Sequence, residues 1–378
     1  MSYVITAGGT GGHIYPALAV AAELQKQGKQ VVFAGNIDGM EERMAREAGL
    51  SYQGFAAKGF DRQKPWTLLS STLLLARSTG EAKRWLHEIQ AEAVAAFGGY
   101  ASVPVGRAAV SQAVPLLIHE QNSAMGWTNK HLSKQATTIA LTYAAAADYL
   151  DERARQRVQI TGNPVRPEFS ALADTAYAAR LGNEFRQELG FTDDQLILLI
   201  FGGSQGARHI NQAMVALSAE LMKHPKLAVL HLTGRKEYAS VASALSSVLD
   251  SSRAERWHLV DYCDQMPAAF AASDIVISRA GASSLAELAV AAKPALLIPF
   301  PYATADHQRK NAESLVAAGA AHMILDKDLD SPQFLESLLT LVDDTKTRTH
   351  MQEAAEQFKD ASAALQVANL LIGIAQEA

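Results

Sequence analysis

Two glycine-rich runs hold the residues best suited to chemistry. The first, GGTGGH, Gly8 to His13, leaves a short apolar run and enters a helical pattern. The second, GGSQG at Gly202–Gly206, repeats the arrangement. Bare backbone at a strand-to-helix turn lets N–H groups approach an anion at a helix N-terminus. A phosphate loop needs Lys-Ser/Thr after its last glycine, and His13-Ile14 stands there instead. The dinucleotide fingerprint G-x-G-x-x-G, counted from Gly9 and Gly11, meets Ile14 where its third glycine belongs. Neither nucleotide signature fits, and a tight turn without a ligand is the plain alternative for one such loop. A second loop of the same make weakens that alternative. Next in line is His13, a residue type suited to taking a proton in general-base chemistry.

Polar residues also gather where apolar strands end. His119, Glu120, Gln121 and Asn122 follow one strand, Arg279 and Gly281 a second, and Asp306, His307, Gln308 and Asn311 a third. Singly, each has a structural explanation. His119 fits a core histidine, and Ser284-x-x-Glu287 reads as a capping box for a helix starting at Ser283 or Ser284. Together, spread over both halves, these ends outline a cleft between domains.

The elements that must position them alternate regularly. YVITA precedes a helix over Pro16–Gln27 closed by Gly28; QVVFAG precedes a helix around Met40–Ala48; AVAAFGG, PLLIHEQ and TIALTY follow as strands. The rhythm breaks at Gly162, Pro164 and Pro167 and restarts at LILLIFGGSQG, with LAVLHLTG, WHLVDY, DIVISRAGASS and PALLIPF behind it. This βαβα order predicts an α/β protein of two Rossmann-like parallel sheets, with ligands at the carboxyl ends of the strands. Met351–Ala375 reads as one alanine-rich helix.

Composition agrees with a soluble globular protein: 378 residues, 48% apolar and 19% charged, enough for two domains. Met1 runs directly into a strand, so a cytosolic chain without a leader is expected. Net charge is −5, yet residues 1–163 hold 16 Lys and Arg against 13 Asp and Glu. A basic stretch, Lys58 to Arg84, contributes to that excess, with a solvated face as its simplest explanation. Metal chemistry has little support. The single cysteine, Cys263, excludes a Cys-rich site. DKDLD at Asp326–Asp330 resembles the D-x-D of metal-dependent sugar transferases but precedes a helix, where acidic residues favour the start.

GGTGGH, GGY, HEQN, NPVR, GGSQGA, AGASSLAE and HQRKNA, in this order, resemble the peptidoglycan N-acetylglucosaminyltransferases of glycosyltransferase family 28, over nearly the whole chain. The resemblance implies the GT-B fold, two Rossmann-like domains facing across a cleft. Residues 1–163 would form the acceptor and membrane-facing domain, 164–354 the donor domain, and a helix about 355–378 would pack back on the first. It implies inverting transfer of N-acetylglucosamine from UDP to the 4-hydroxyl of undecaprenyl-diphosphate-linked muramoyl pentapeptide. No cofactor, metal or nucleic acid is implied, and the setting is the cytoplasmic membrane face. Thr10, Gly11, Gly12 and Asn122 would approach the donor sugar, and Arg166 and Ser204 its diphosphate. The segment Ala282, Ser283, Ser284 and Leu285 would line the donor, Glu287 would bind ribose, Gln308 would approach from its strand end, and the Cys263 backbone would hold uracil. Gly8, Gly9, Gly98, Gly99 and Tyr100 would face the acceptor diphosphate. His13 would take the hydroxyl proton, with Glu120 as competitor.

The basic stretch gains meaning from that resemblance. Trp66, Leu68, Leu69, Leu73–Leu75 and Trp85 beside Lys64, Arg77, Lys83 and Arg84 suit an anionic membrane surface. An ordinary helix with its leucines inward is the alternative. Three rival functions remain at this level. A non-hydrolysing UDP-N-acetylglucosamine 2-epimerase would share fold and donor. A Rossmann dehydrogenase is opposed by the broken fingerprint. A non-catalytic nucleotide-binding module would leave HEQN and GGTGGH unexplained.

Overall fold

The computed structural model describes residues 1–57, 67–203 and 206–378, with side chains described except at 67–71 and 304. The chain divides into two compact units, Met1–Pro167 with Ser362–Ala378, and Glu168–Ala361.

In the first unit the strands are β1 (Ser2–Thr6), β2 (Val31–Asn36), β3 (Ser51–Phe55), β4 (Ala91–Ala96), β5 (Leu116–Glu120), β6 (Thr138–Leu141) and β7 (Val158–Ile160). They pair in the order β3-β2-β1-β4-β5-β6-β7, every pair parallel. β1 and β5 are buried along their whole length, the mark of a parallel sheet covered on both faces. Strand order reverses between β1 and β4, so the loops leaving those strands diverge and open a crevice, the usual ligand position in such sheets.

The second unit repeats the plan with β8 (Leu196–Phe201), β9 (Leu227–Leu232), β10 (Trp257–Val260), β11 (Ile275–Ser278), β12 (Ala295–Leu297) and β13 (Ala321–Met323). Their order is β10-β9-β8-β11-β12-β13, again all parallel. Its switch point lies between β8 and β11. The two glycine runs leave β1 and β8, the strands at the two switch points. This is the α/β, GT-B class of fold.

Three local readings are corrected. The first helix runs Gly11–Lys26, not from Pro16, which sits inside it. His13 therefore lies in the first turn. The C-terminal stretch is not one helix: Thr345–Glu356 stops, and a new helix, Ala363–Gln376, begins after Ser362. The break coincides with the crossing from the second unit back to the first. There Ala364, Val367, Ala368 and Leu371 join a core with Ile5, Ile14, Phe33 and Phe97. Third, the helix after β11 spans Ala282–Ala291 with Gly281 at its N-cap and no side-chain cap among the described residues. Ser284 and Glu287 are thus inside the helix, and the capping-box explanation of Glu287 fails.

Candidate active site

In the first unit, the loops after β1 and β4 pack glycine on glycine. Gly99 has φ +78°, and a Cβ there would overlap the Gly8 carbonyl. A Cβ on Gly8 would approach a carboxylate oxygen of buried Glu41 to 2.5 Å. Gly98, φ +97°, lies against the His13 ring, where a Cβ would come within 3.2 Å of Nδ1. These three glycines are explained by close packing. Gly9 differs: its φ is +89° and nothing occupies the space a Cβ would fill within 4 Å. That is the loop position open to an approaching anion. Thr10 is the N-cap, Gly11 and Gly12 open the helix, and Tyr100 stands 47% exposed beside them.

His13 is half-buried, and its Nδ1 lies 2.9 Å from Gln121 Oε1. Gln121 Nε2 donates to the Phe97 carbonyl at 3.0 Å and the His119 carbonyl at 3.2 Å. It also faces His119 Nδ1 at 3.2 Å, and His119 Nε2 lies 3.0 Å from the Gly162 carbonyl. His119 is fully buried and stacks on Phe97 at 5.3 Å. Burial pushes its imidazole down to about 4, so the ring is neutral.

Glu120 is spent differently. Its Oε1 accepts from the Asn122 backbone N–H at 3.1 Å and the Asn122 amide at 3.2 Å. Its Oε2 accepts from Gly126 N–H and Asn129 Nδ2, both at 2.9 Å. A carboxylate with both oxygens so engaged, 1% exposed, braces the loop that carries Asn122. Asn129 escaped the sequence reading. It ties the helix Trp127–Leu132 to Glu120 and to the His119 carbonyl, at 2.9 Å each. Arg166 belongs to this unit, with its guanidinium 4.5 Å from the Tyr15 ring, two residues past His13.

In the second unit, Gly203 has φ +86° with open space, and Gly206 has φ +73°, where a Cβ would overlap the Thr233 carbonyl. Ser204 lies outside the described residues. The helix Arg208–Leu221 follows. Its Asn211 donates to the Thr233 carbonyl and meets His231 Nε2, both at 3.0 Å. Ala282, Leu285 and Glu287 are buried in the helix after β11, while Ser283 and Ser284 are half-exposed. Gln308 Oε1 accepts from Phe300 N–H at 2.9 Å and Ala280 N–H at 3.2 Å, joining the ends of β12 and β11. Cys263 is half-buried just past β10, and burial pushes its thiol up.

Asp326 has partners that explain the DKDLD run. It pairs with Arg279 at 2.5 Å and His209 Nδ1 at 2.8 Å. Burial opposes its charge, but the two hydrogen bonds prevail and hold the carboxyl below its ordinary range. Among the described residues no cluster of three His, Cys, Asp or Glu could hold a metal ion. The loops after β1 and β4 and those after β8 and β11 carry the glycine runs, His13 and the Ala282–Glu287 segment at the switch points, while Asn122, Arg166, Cys263 and Gln308 follow β5, β7, β10 and β12.

The geometry has counterparts. Residues 3–141 match the glycosyltransferase family 28 N-terminal domain and residues 197–367 the family 28 C-terminal domain. A Halothermothrix orenii protein named UDP-N-acetylglucosamine--N-acetylmuramyl-(pentapeptide) pyrophosphoryl-undecaprenol N-acetylglucosamine transferase is 39% identical over 358 residues, covering 94% of each chain. One of the same name from Desulfitobacterium hafniense strain Y51 is 33% identical, covering 99% of this chain and 100% of its own. The crystal structure of Acinetobacter baumannii MurG superposes with TM-score 0.75 at 28% identity, over 99% of this chain and all of that one. The UDP-GlcNAc 2-epimerase of Neisseria meningitidis, 15% identical with TM-score 0.67 over all of both chains, shares the fold. Matched in both halves by its domains and along 94% of its length by a named relative, this chain belongs to glycosyltransferase family 28.

Proposed function

We propose that this chain transfers N-acetylglucosamine from UDP-N-acetylglucosamine to the 4-hydroxyl of undecaprenyl-diphospho-N-acetylmuramoyl pentapeptide, with inversion at the anomeric carbon. The observation that carries the reading is His13, held through Nδ1 at the carboxyl end of β1 beside the open Gly9, in a chain 39% identical to a transferase of that name. In the reaction the muramoyl 4-oxygen attacks the anomeric carbon, its proton passes to His13 Nε2, and the bond to the UDP β-phosphate breaks. Charge growing on the leaving diphosphate is met by N–H groups where the second glycine loop enters its helix, and Ser204 and Arg166 are assigned to the same diphosphate. Buried Glu287 takes the ribose hydroxyls, and Ser283, Ser284, Gln308 and the Cys263 backbone hold the rest of the donor. Thr10, Gly11, Gly12 and Asn122 contact the sugar, with Glu120 fixing the Asn122 loop.

The acceptor is lipid-linked, and among the described residues no helix is long and apolar enough to cross a bilayer. Docking on the cytoplasmic membrane face through residues 64–85 belongs to the same reading. Leu73 is 74% exposed in the helix Thr67–Glu88, which also carries Lys83 and Arg84, whereas Trp85 turns in against Phe55 at 5.5 Å. Lys64 and Trp66 lie outside the described residues.

The test is incubation with labelled UDP-N-acetylglucosamine and a lipid-linked muramoyl-pentapeptide analogue, with and without chelator. Label in a lipid-linked disaccharide, undiminished by chelator, is expected. Conversion of UDP-N-acetylglucosamine to its 2-epimer, without transfer, would overturn the reading.

A further inference from the structure

The hydrogen bonds behind His13 run in one direction, and that direction can be deduced. Carbonyl oxygens only accept. Gln121 therefore presents its amide nitrogen to the Phe97 and His119 carbonyls, 3.0 and 3.2 Å away, and its oxygen to His13. An oxygen at 2.9 Å from His13 Nδ1 requires that nitrogen to carry the hydrogen. The same logic applies one link deeper. The Gly162 carbonyl obliges His119 Nε2 to carry its hydrogen, which leaves His119 Nδ1 a bare acceptor for Gln121. The chain reads Gly162 carbonyl, His119, Gln121, His13, with the two hydrogens of the Gln121 amide shared among the Phe97 carbonyl, the His119 carbonyl and His119 Nδ1.

We infer that Gln121 and His119 are positioning residues that lock His13 in its Nδ1–H tautomer, so that in the neutral ring the lone pair is on Nε2. The inference rests on reading His13 as the base and deepens it, by saying what makes the ring a base. An imidazole left to itself exchanges its hydrogen between both nitrogens, and the partner of one nitrogen decides the state of the other. Gln121 is 1% exposed and His119 is 0% exposed. Burying an amide and an imidazole is unfavourable unless every polar atom is matched, and here the matching admits one polarity. Reversing Gln121 would point its NH2 at His13 and its oxygen at two carbonyls. Gly98, a Cβ-less neighbour of the His13 ring, keeps that ring seated against its partner. Neither Gln121 nor His119 needs to touch the substrates for this role.

The experiment labels histidine rings with nitrogen-15 in the full-length protein and records two-bond proton–nitrogen correlations. The His13 signals are those lost in His13→Gln. In the wild type they should show Nδ1–H with bare Nε2. In Gln121→Leu they should change to the Nε2–H form or to exchange between the two. Turnover should then fall about tenfold or more while the KM for UDP-N-acetylglucosamine stays within about twofold, because a wrong tautomer disables the base without touching the donor site. A second pair guards against misfolding of that variant. His119→Asn places an amide oxygen near the old Nδ1 position and should keep the wild-type tautomer; His119→Leu should lose it. An Nε2–H tautomer in the wild type, or an unchanged one in Gln121→Leu, overturns the lock whatever the turnover. Full turnover in His13→Gln overturns the base reading whatever the spectrum.

Discussion

Both units set a buried imidazole into the sheet and connect it to the helix that leaves a glycine loop, yet the connections end differently. In the first unit His119 on β5 reaches the first helix through Gln121 and finishes at half-buried His13. In the second, His231 on β9 meets Asn211 directly, and Asn211 finishes on the Thr233 carbonyl, against which Gly206 also packs. Asn211 is 1% exposed, so that connection stays inside. One scaffold delivers a titratable nitrogen to the crevice; the other only anchors a helix N-terminus. On the proposed reading, the last link distinguishes a switch-point loop that moves a proton from one that holds an anion.

The comparison breaks most visibly if its two ends are exchanged for inert groups. His13→Gln should lower turnover by about 10²–10⁴-fold with little change in donor KM. Asn211→Ala should instead weaken the second unit by about 1–3 kcal/mol, read by urea unfolding, and leave the His13 tautomer untouched. Equal losses of turnover would erase the distinction. The next effect concerns how the first unit is completed. Leu371→Ala removes a fully buried side chain and should destabilise it by about 2–5 kcal/mol, measured the same way.

Acid should strike both units for the same reason. Burial lowers His119 to about 4 and His231 to about 3. An unfolded histidine takes up a proton as pH falls below 6.5, while these folded ones stay neutral. Stability is complete above 6.5 and declines from there toward pH 3–4. Between pH 7 and 5 each ring should remove about 2 kcal/mol. His231→Gln should flatten about half of that slope; an unaltered slope refutes the assignment. The smallest effect belongs to the donor side. Glu287→Gln keeps the shape but replaces charge-assisted bonds with neutral ones, and should raise the KM for UDP-N-acetylglucosamine about tenfold with turnover retained. An unchanged KM would reduce Glu287 to packing.

Much of this was legible because it is local. Alternating apolar runs marked the strands, and glycine runs after β1 and β8 marked both switch points. The misreadings have physical causes. Pro16 carries the usual signal for a first helical turn, yet the glycines let the helix begin at Gly11. Lys359 to Ser362 look compatible with a helix, and the break there follows from the crossing between units, which local propensity does not encode. Ser284 and Glu287 fit a capping box by spacing alone, but Gly281 does the capping. The bond from Gln121 to His13 spans 108 positions, and no window of sequence displays it.

The return of the chain to the first unit at Ser362 bears on how the protein is made. The second unit is one continuous stretch, Glu168–Ala361, and holds all of its own core as soon as that stretch is synthesised. The first unit is translated earlier but finished later. Its core around Ile5, Phe33 and Phe97, part-covered by Ile14, Val20 and Leu24 of the first helix, is completed only when Val367 and Leu371 arrive. Domains usually fold in the order in which they are synthesised. Here the first unit cannot complete its core until the whole of the second has been synthesised.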